Sequence, residues 1–288
     1  MRYQIEHTSR YIYATPVQRC AMSLCLEPCT DADQRCVDFQ VSTLPVSSLF
    51  EEVDAFGNTK HSFTVNRMHE TLEVVAHSAV EKLPSTPPST SLGQGAWEEV
   101  RSWAGGYVCW EYMQPTPLTM SSLALARFIE ERGIGITDDP LESLLRLSDM
   151  LRLGLEYLPG STSVVSTVDH IIETGQGVCQ DYAHLMLAVA RLWGVPGRYV
   201  SGYLYGSKSA PQWEGTATHA WVECLLPEVG WVGFDPTNEG RIDENYVRIA
   251  AGRDYQDVAP TKGVLIGGGE GILEVNVKIS RDSTSLLL

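Results

Sequence analysis

Gly175-Gln176-Gly177-Val178-Cys179-Gln180-Asp181-Tyr182-Ala183-His184-Leu185-Met186-Leu187-Ala188-Val189-Ala190-Arg191-Leu192-Trp193 reads as a glycine-rich entry turn followed by a helix, which Gly194 and Pro196 stop. Ala183, Met186, Leu187 and Ala190 form one apolar stripe, and Leu185, Ala188, Val189 and Leu192 form another. A helix apolar nearly all round belongs in the middle of a domain, so chemistry at its first turn requires a cleft there. Cys179 falls in that turn, facing unpaired backbone N–H groups and the positive end of the helix dipole. Both favour the thiolate, which is the nucleophilic form. The same N–H groups are ready donors for an oxyanion. Gly175 and Gly177 permit the tight turn and a close substrate approach.

Downstream the pattern changes to strands. Arg198–Leu204, Thr218–Cys224 and Trp231–Asp235 are strand candidates, with Pro227 and Gly230 marking a hairpin turn between the last two. His219 lies on one arm of that hairpin, and Asp235 ends the other, just before Pro236. A cysteine nucleophile needs a base, and the base needs an orienting partner. Cys179, His219 and Asp235 supply those three roles, which are recognised by geometry rather than by order in the chain. Asp181 and His184 are read as a cap and a core residue of the Cys179 helix.

Upstream of Cys179 two helices are expected. One starts at Ser121-Ser122 and ends at Gly133; the other starts at Asp138-Asp139-Pro140, with aspartate as cap and proline in the first turn. The first 80 or so residues instead alternate with period two. Segments at 3–13, 20–27, 36–44 and 72–80 are strand candidates, and 51–65 reads as a hairpin turning at Gly57-Asn58. Leu83-Pro84-Ser85-Thr86-Pro87-Pro88-Ser89-Thr90-Ser91 cannot build a core and marks a boundary. The expected class is α+β: an N-terminal β-sandwich over 1–83, a linker over 84–95, and from 96 to 288 a core of helices packed on an antiparallel sheet, with further strands at its C-terminal end.

Four separated blocks carry a family resemblance. They are Gly177–His184, Gly194–Tyr203, His219-Ala220-Trp221-Val222-Glu223 and Gly230-Trp231-Val232-Gly233-Phe234-Asp235-Pro236-Thr237. In this order they resemble the transglutaminase-like core of bacterial proteins. Asp54-Ala55-Phe56-Gly57-Asn58 resembles the β-rich region that precedes that core, and Gly252–Pro260 resembles its ending. The resemblance implies a papain-like core, with Cys179 as nucleophile, His219 as general base and Asp235 as orienter. It implies acyl chemistry on a peptide or protein amide through a thioester, with hydrolysis (a peptidase or amidase) expected. Transfer of a glutamine acyl group to an amine, or a non-catalytic peptide-binding module, are the alternatives. Gln180, Tyr182 and Trp221 are candidates for the side chain that helps the Cys179 N–H hold the oxyanion. No EF-hand loop is present, so calcium dependence is not expected.

Composition narrows the partners. Acidic residues outnumber basic ones by 36 to 21, a formal charge of −15. That balance disfavours nucleic acid and anionic membrane surfaces as partners. No apolar run approaches the roughly 20 residues of a spanning helix, and the N-terminus lacks the apolar stretch of a signal peptide. Seven scattered cysteines are read as reduced thiols of a cytoplasmic protein. Cys20, Cys25, Cys29 and Cys36 contain no Cys-x-x-Cys pair, so no metal or cofactor is expected from them. Gly267-Gly268-Gly269 reads as a turn, and Trp97, Trp103, Tyr107, Trp110 and Tyr112 as packing between domains.

Overall fold

The computed structural model describes residues 1–84, 91–93, 95–103, 106–206 and 218–282. Residues 85–90 and 94 of the expected linker lie outside the described residues. The fold is α+β. Strands β1 (Arg2–Leu24), β2 (Gln34–Leu44), β3 (Phe50–Val53), β4 (Thr59–Val65) and β5 (His69–Lys82) come first. Next are helices α1 (Ala96–Trp103), α2 (Trp110–Met113), α3 (Leu123–Glu131) and α4 (Pro140–Gly154). The two-residue strands β6 (Glu156–Tyr157) and β7 (Gln176–Gly177) flank α5 (Val168–Thr174) and lead into α6 (Cys179–Leu192). Strands β8 (Gly197–Leu204), β9 (His219–Leu226), β10 (Gly230–Phe234) and β11 (Tyr246–Gly252) follow, then α7 (Tyr255–Val258), β12 (Thr261–Gly267) and β13 (Gly271–Asp282).

The strand-rich half is organised by β1. Tyr3, Ile5, His7 and Ser9 are buried at every second position, as a sheet with one face on a core requires. The N-terminal stretch of β1 lies between β5 and β13; its C-terminal stretch lies between β4 and β12. Seven antiparallel strands are thereby joined into one sheet, in the order β2-β5-β1-β4-β3 with β12 and β13 also on β1. Its two ends fold over a core that includes Val17, Leu24, Phe63, Leu72 and Val74. The C-terminal strands, expected with the second half of the chain, thus belong to the first sheet: a strand's partner is set by non-local hydrogen bonding that its own alternation does not encode. The turn between them is Gly267–Gly269, all at positive φ.

The second half places α6 against a four-stranded antiparallel sheet of order β10-β9-β8-β11. Leu185, Met186, Leu187, Val189 and Ala190 are all fully buried, each large one worth about 1.5–3 kcal/mol relative to exposure. The caps fall where the sequence placed them. Ser122 Oγ accepts from Leu125 N at 3.0 Å, and Asp139 Oδ1 accepts from Leu141 N at 2.7 Å. Of the aromatic group, Trp97 is buried and Tyr112 packs on both Phe56 and Trp231 across the two halves. Tyr107 and Trp110 are 99% and 52% exposed, contrary to the packing role expected of them: Trp110 opens α2, a single turn with no buried residue, and Tyr107 lies in the short turn before it.

β11 is the edge of the core sheet, and an edge leaves backbone groups unpaired. Two carboxamides meet them. Gln34 Nε2 donates to Arg248 O at 2.7 Å while its Oε1 accepts from Arg248 N at 2.9 Å. Asn58 Nδ2 donates to Ala251 O at 2.8 Å and its Oδ1 accepts from Ala251 N at 2.9 Å. Asp54 holds the Asn58 turn by accepting from Phe56 N and Asn58 N, both at 2.9 Å, which accounts for the Asp54–Asn58 motif. Asn58→Ala leaves two buried backbone groups of Ala251 unmet and is expected to cost about 2–4 kcal/mol, read from urea unfolding; a loss below about 1 kcal/mol contradicts the seam.

Candidate active site

The entry to α6 is built by short-range contacts. Gly175 ends α5 at φ +69°, and β7 then pairs in parallel with β6, so that Tyr157 lies opposite Gly177. Asp181 reaches back from the first turn of α6: its Oδ2 accepts from Val178 N at 2.8 Å and from the Thr162 hydroxyl. A Cβ at Gly177 would lie 2.9 Å from Asp181 Cβ, so only glycine lets the capping carboxylate pass. Cys179 is therefore fixed at the start of the helix, 7% exposed. His184 sits fully buried one turn on, its Nε2 accepting from Tyr255 N at 3.2 Å; burial pushes its pKa down to about 3, so it stays neutral. Asp181 and His184 are the cap and core residues that the sequence suggested.

His219 opens β9 and Asp235 follows β10, its antiparallel neighbour. Asp235 Oδ2 lies 2.6 Å from His219 Nε2, and Cys179 is near enough to the same imidazole to raise its pKa. The three side chains singled out in the sequence are thus brought together. Asp235 is itself held from several sides. Oδ1 accepts from Thr237 N at 2.9 Å and Thr237 Oγ1 at 2.6 Å, while Oδ2 accepts from Asn238 Nδ2 at 2.8 Å and the Tyr246 hydroxyl at 2.9 Å. Burial would raise its pKa, yet His219, Thr237 and Asn238 together hold it well below the usual carboxylate range. Burial would lower that of His219, but Asp235 and Cys179 lift it to about 10.

The oxyanion candidates are placed differently from the expectation. Gln180 Nε2 is turned to the Ser163 carbonyl at 3.5 Å. Tyr182 is 1% exposed within the core, and burial raises its hydroxyl to about 12. Trp221 lies beside the imidazole, ring centroids 6.2 Å apart, where it walls the site. It fits only because residue 202 is glycine: a Cβ there would lie 2.4 Å from the indole and 2.3 Å from Val247 O. The hydroxyl that does interact with Cys179 belongs to Tyr157; burial and then Cys179 raise its pKa. Tyr157 and Tyr246 escaped the sequence reading. Tyr157 sits in a two-residue strand without periodicity, and Tyr246 in a strand, β11, that the sequence reading did not identify. The one available signal was the spacing of Asp235, Thr237 and Asn238, which suits an Asx turn.

The charge balance of the pair has a pH consequence. His219, whose pKa is raised by folding, stabilises the fold fully below about pH 6.5 and loses that contribution as pH rises through about 10. Asp235, whose pKa is lowered, contributes above about pH 3.9 and loses this as pH falls through its folded value. Between about pH 6.5 and 10, unfolding free energy is expected to decline in the wild type and to decline less in Asp235→Asn; equal slopes in urea titrations contradict the pairing.

Comparison with known proteins places this geometry. Residues 129–236 match the transglutaminase-like superfamily, and residues 3–81 match the bacterial transglutaminase-like N-terminal region. An uncharacterised protein of Mycobacterium leprae is 34% identical over 283 residues, covering 97% of this chain and 99% of that one. A protein-glutamine gamma-glutamyltransferase of Pseudomonas aeruginosa is 34% identical over 113 residues, 35% of this chain and 16% of that one. The crystal structure of a candidate cysteine protease from Cytophaga hutchinsonii superposes with a TM-score of 0.77 at 19% identity, covering 100% of this chain and 92% of that one, which shows a shared fold. The chain therefore belongs to the transglutaminase-like superfamily, with the bacterial transglutaminase-like N-terminal region ahead of its core.

Proposed function

We propose that the protein is a cysteine-dependent amide hydrolase, a peptidase or amidase, working through Cys179, His219 and Asp235. The observation that carries this reading is the 2.6 Å pairing of His219 with Asp235 beside Cys179, which begins a buried helix. The Cys179 sulfur, its proton already held by His219, attacks the carbonyl carbon of a peptide or protein amide. The tetrahedral intermediate collapses as His219 passes the proton to the leaving nitrogen, giving free amine and a thioester on Cys179. His219 then takes a proton from water, whose hydroxide attacks the thioester; the acid leaves, the sulfur is released from the acyl group, and the proton stays on His219. Asp235 orients the imidazole and stabilises its charged form.

Cys179 N–H and the Tyr157 hydroxyl are the donors available to the oxyanion. The hydroxyl interacts with Cys179; when a substrate carbonyl arrives at the sulfur, both groups donate to its oxygen. Transfer to an amine is the second reading, favoured by the name of the Pseudomonas relative. All seven cysteines are free thiols, which supports a reducing compartment, and no helix among the described residues is long and apolar enough to cross a membrane. The formal charge of −15 supports the absence of a nucleic-acid partner.

The test is a mass-spectrometric time course on glutamine-containing peptides, with and without a primary amine. Hydrolysed product in both arms, abolished by Cys179→Ala, is expected; incorporation of the amine as the main product turns the reading to transfer. No turnover that depends on Cys179 favours a binding module. Tyr157→Phe is expected to lower kcat by about 10²-fold with little change in KM, whereas a rise in activity assigns the hydroxyl to blocking the nucleophile.

A further inference from the structure

A second cluster of chemistry-bearing side chains lies in the N-terminal sheet. Glu51 on β3 stands directly across from His61 on β4, which in turn pairs with Leu24 at the end of β1. Three residues beyond Leu24 the chain brings Glu27 to the same imidazole. His61 Nε2 lies 3.6 Å from Glu27 Oε2 and 3.9 Å from Glu51 Oε2, and the three donor atoms all lie within 4.8 Å of one another. They open on a cavity of about 310 Å³, which Cys36, Asp38 and Phe39 also line. Phe39 covers the imidazole, ring centroids 5.2 Å apart.

The imidazole is 7% exposed, and Nδ1 is buried with no hydrogen-bond partner. Neither tautomer suits it. With the proton on Nε2, the Nδ1 lone pair is stranded, and both carboxylates are too far for a hydrogen bond to Nε2. With the proton on Nδ1, the Nε2 lone pair points at two carboxylates, which repels unless a cation stands between them. Lys60, next to His61 in the chain, is engaged 2.9 Å from Asp54.

We propose that Glu27, Glu51 and His61 form a binding site for a divalent transition-metal ion of the zinc kind, which fastens the β3–β4 hairpin to the exit of β1. One imidazole and two carboxylates are a donor set that such ions accept, with water in the fourth position. Bonds of about 2.0–2.1 Å in a tetrahedron put neighbouring donors about 3.3 Å apart, so the observed 3.6 and 3.9 Å to His61 need a small contraction, and the two carboxylates, within 4.8 Å of each other, close on the ion as it binds. The cysteines that the sequence first brought forward are not the donors: Cys20 packs in the sheet core, Cys29 contacts Asp31 and Arg248, and the Cys36 thiol is turned to the Asp38 carbonyl.

The test titrates zinc chloride into the chelator-treated full chain by calorimetry, with thermal unfolding read in parallel. It is run on wild type, Glu51→Gln, His61→Ala and Cys179→Ser, and repeated with cobalt(II) for its spectrum. One equivalent is expected to bind and raise the melting temperature. Glu51→Gln, which keeps the shape of an exposed side chain, is expected to weaken binding by at least about tenfold, and His61→Ala likewise. Cys179→Ser is expected to leave binding intact, and the cobalt spectrum to show oxygen and nitrogen ligands without a thiolate band. The proposal is overturned if no equivalent binds, if Glu51→Gln binds as the wild type does, or if binding is lost with Cys179→Ser, which would place the ion at the triad.

Discussion

The burial of α6 from Cys179 to Ala190 is the constraint from which the site follows. A helix that is apolar on nearly every side has to be enclosed, and here it is enclosed by α4, α5 and the sheet of β8 and β9. Its last turn reaches the surface at Leu192, 52% exposed, and its first turn holds Cys179 at 7%. The enclosing strands are the ones that present His219 and carry the chain on to Asp235. Burial then sharpens the electrostatics. In a low-dielectric pocket the Asp235 carboxylate needs partners, and His219, Thr237, Asn238 and Tyr246 provide them. The same packing that stabilises the core sets the geometry of the reacting groups.

The N-terminal sheet is bound into this arrangement. β13 pairs with β1 along most of its length, so the last strand of the chain closes on the first. Gln34 and Asn58 occupy the open edge of β11, next to Tyr246, which donates to Asp235. Arg248, on the same strand, joins Glu223 of the core to Asp31 of the first half. The first sheet is therefore in direct contact with the strand whose Tyr246 bonds the Asp235 carboxylate.

Much of this was legible in the sequence. The α6 stripe pattern, the caps at Ser122 and Asp139, the hairpin ending at Val65 and the relation of Cys179, His219 and Asp235 all rest on local periodicity or local chemistry, which a sequence displays directly. What was missed depends on contacts between distant segments. Tyr157 reaches Cys179 through a two-residue parallel pairing; β12 and β13 add to β1 across almost the whole chain. His61 meets Glu27 only because β1 and β4 are neighbours. Alternation tells that a residue is in a strand, and says nothing about which strand lies beside it.

The central claim is that His219 activates Cys179, and the alkylation rate of Cys179 against pH tests it most directly. Peptide mass spectrometry reads all seven cysteines at once, and the other six are internal controls. Burial raises them all; for Cys25 and Cys29 it does so to about 12. The account predicts that Cys179 alone reacts fast at mildly acidic pH, where the other six do not, and that His219→Ala removes this. A Cys179 that reacts no faster than its neighbours in the folded protein, or whose reactivity is unchanged by His219→Ala, contradicts it.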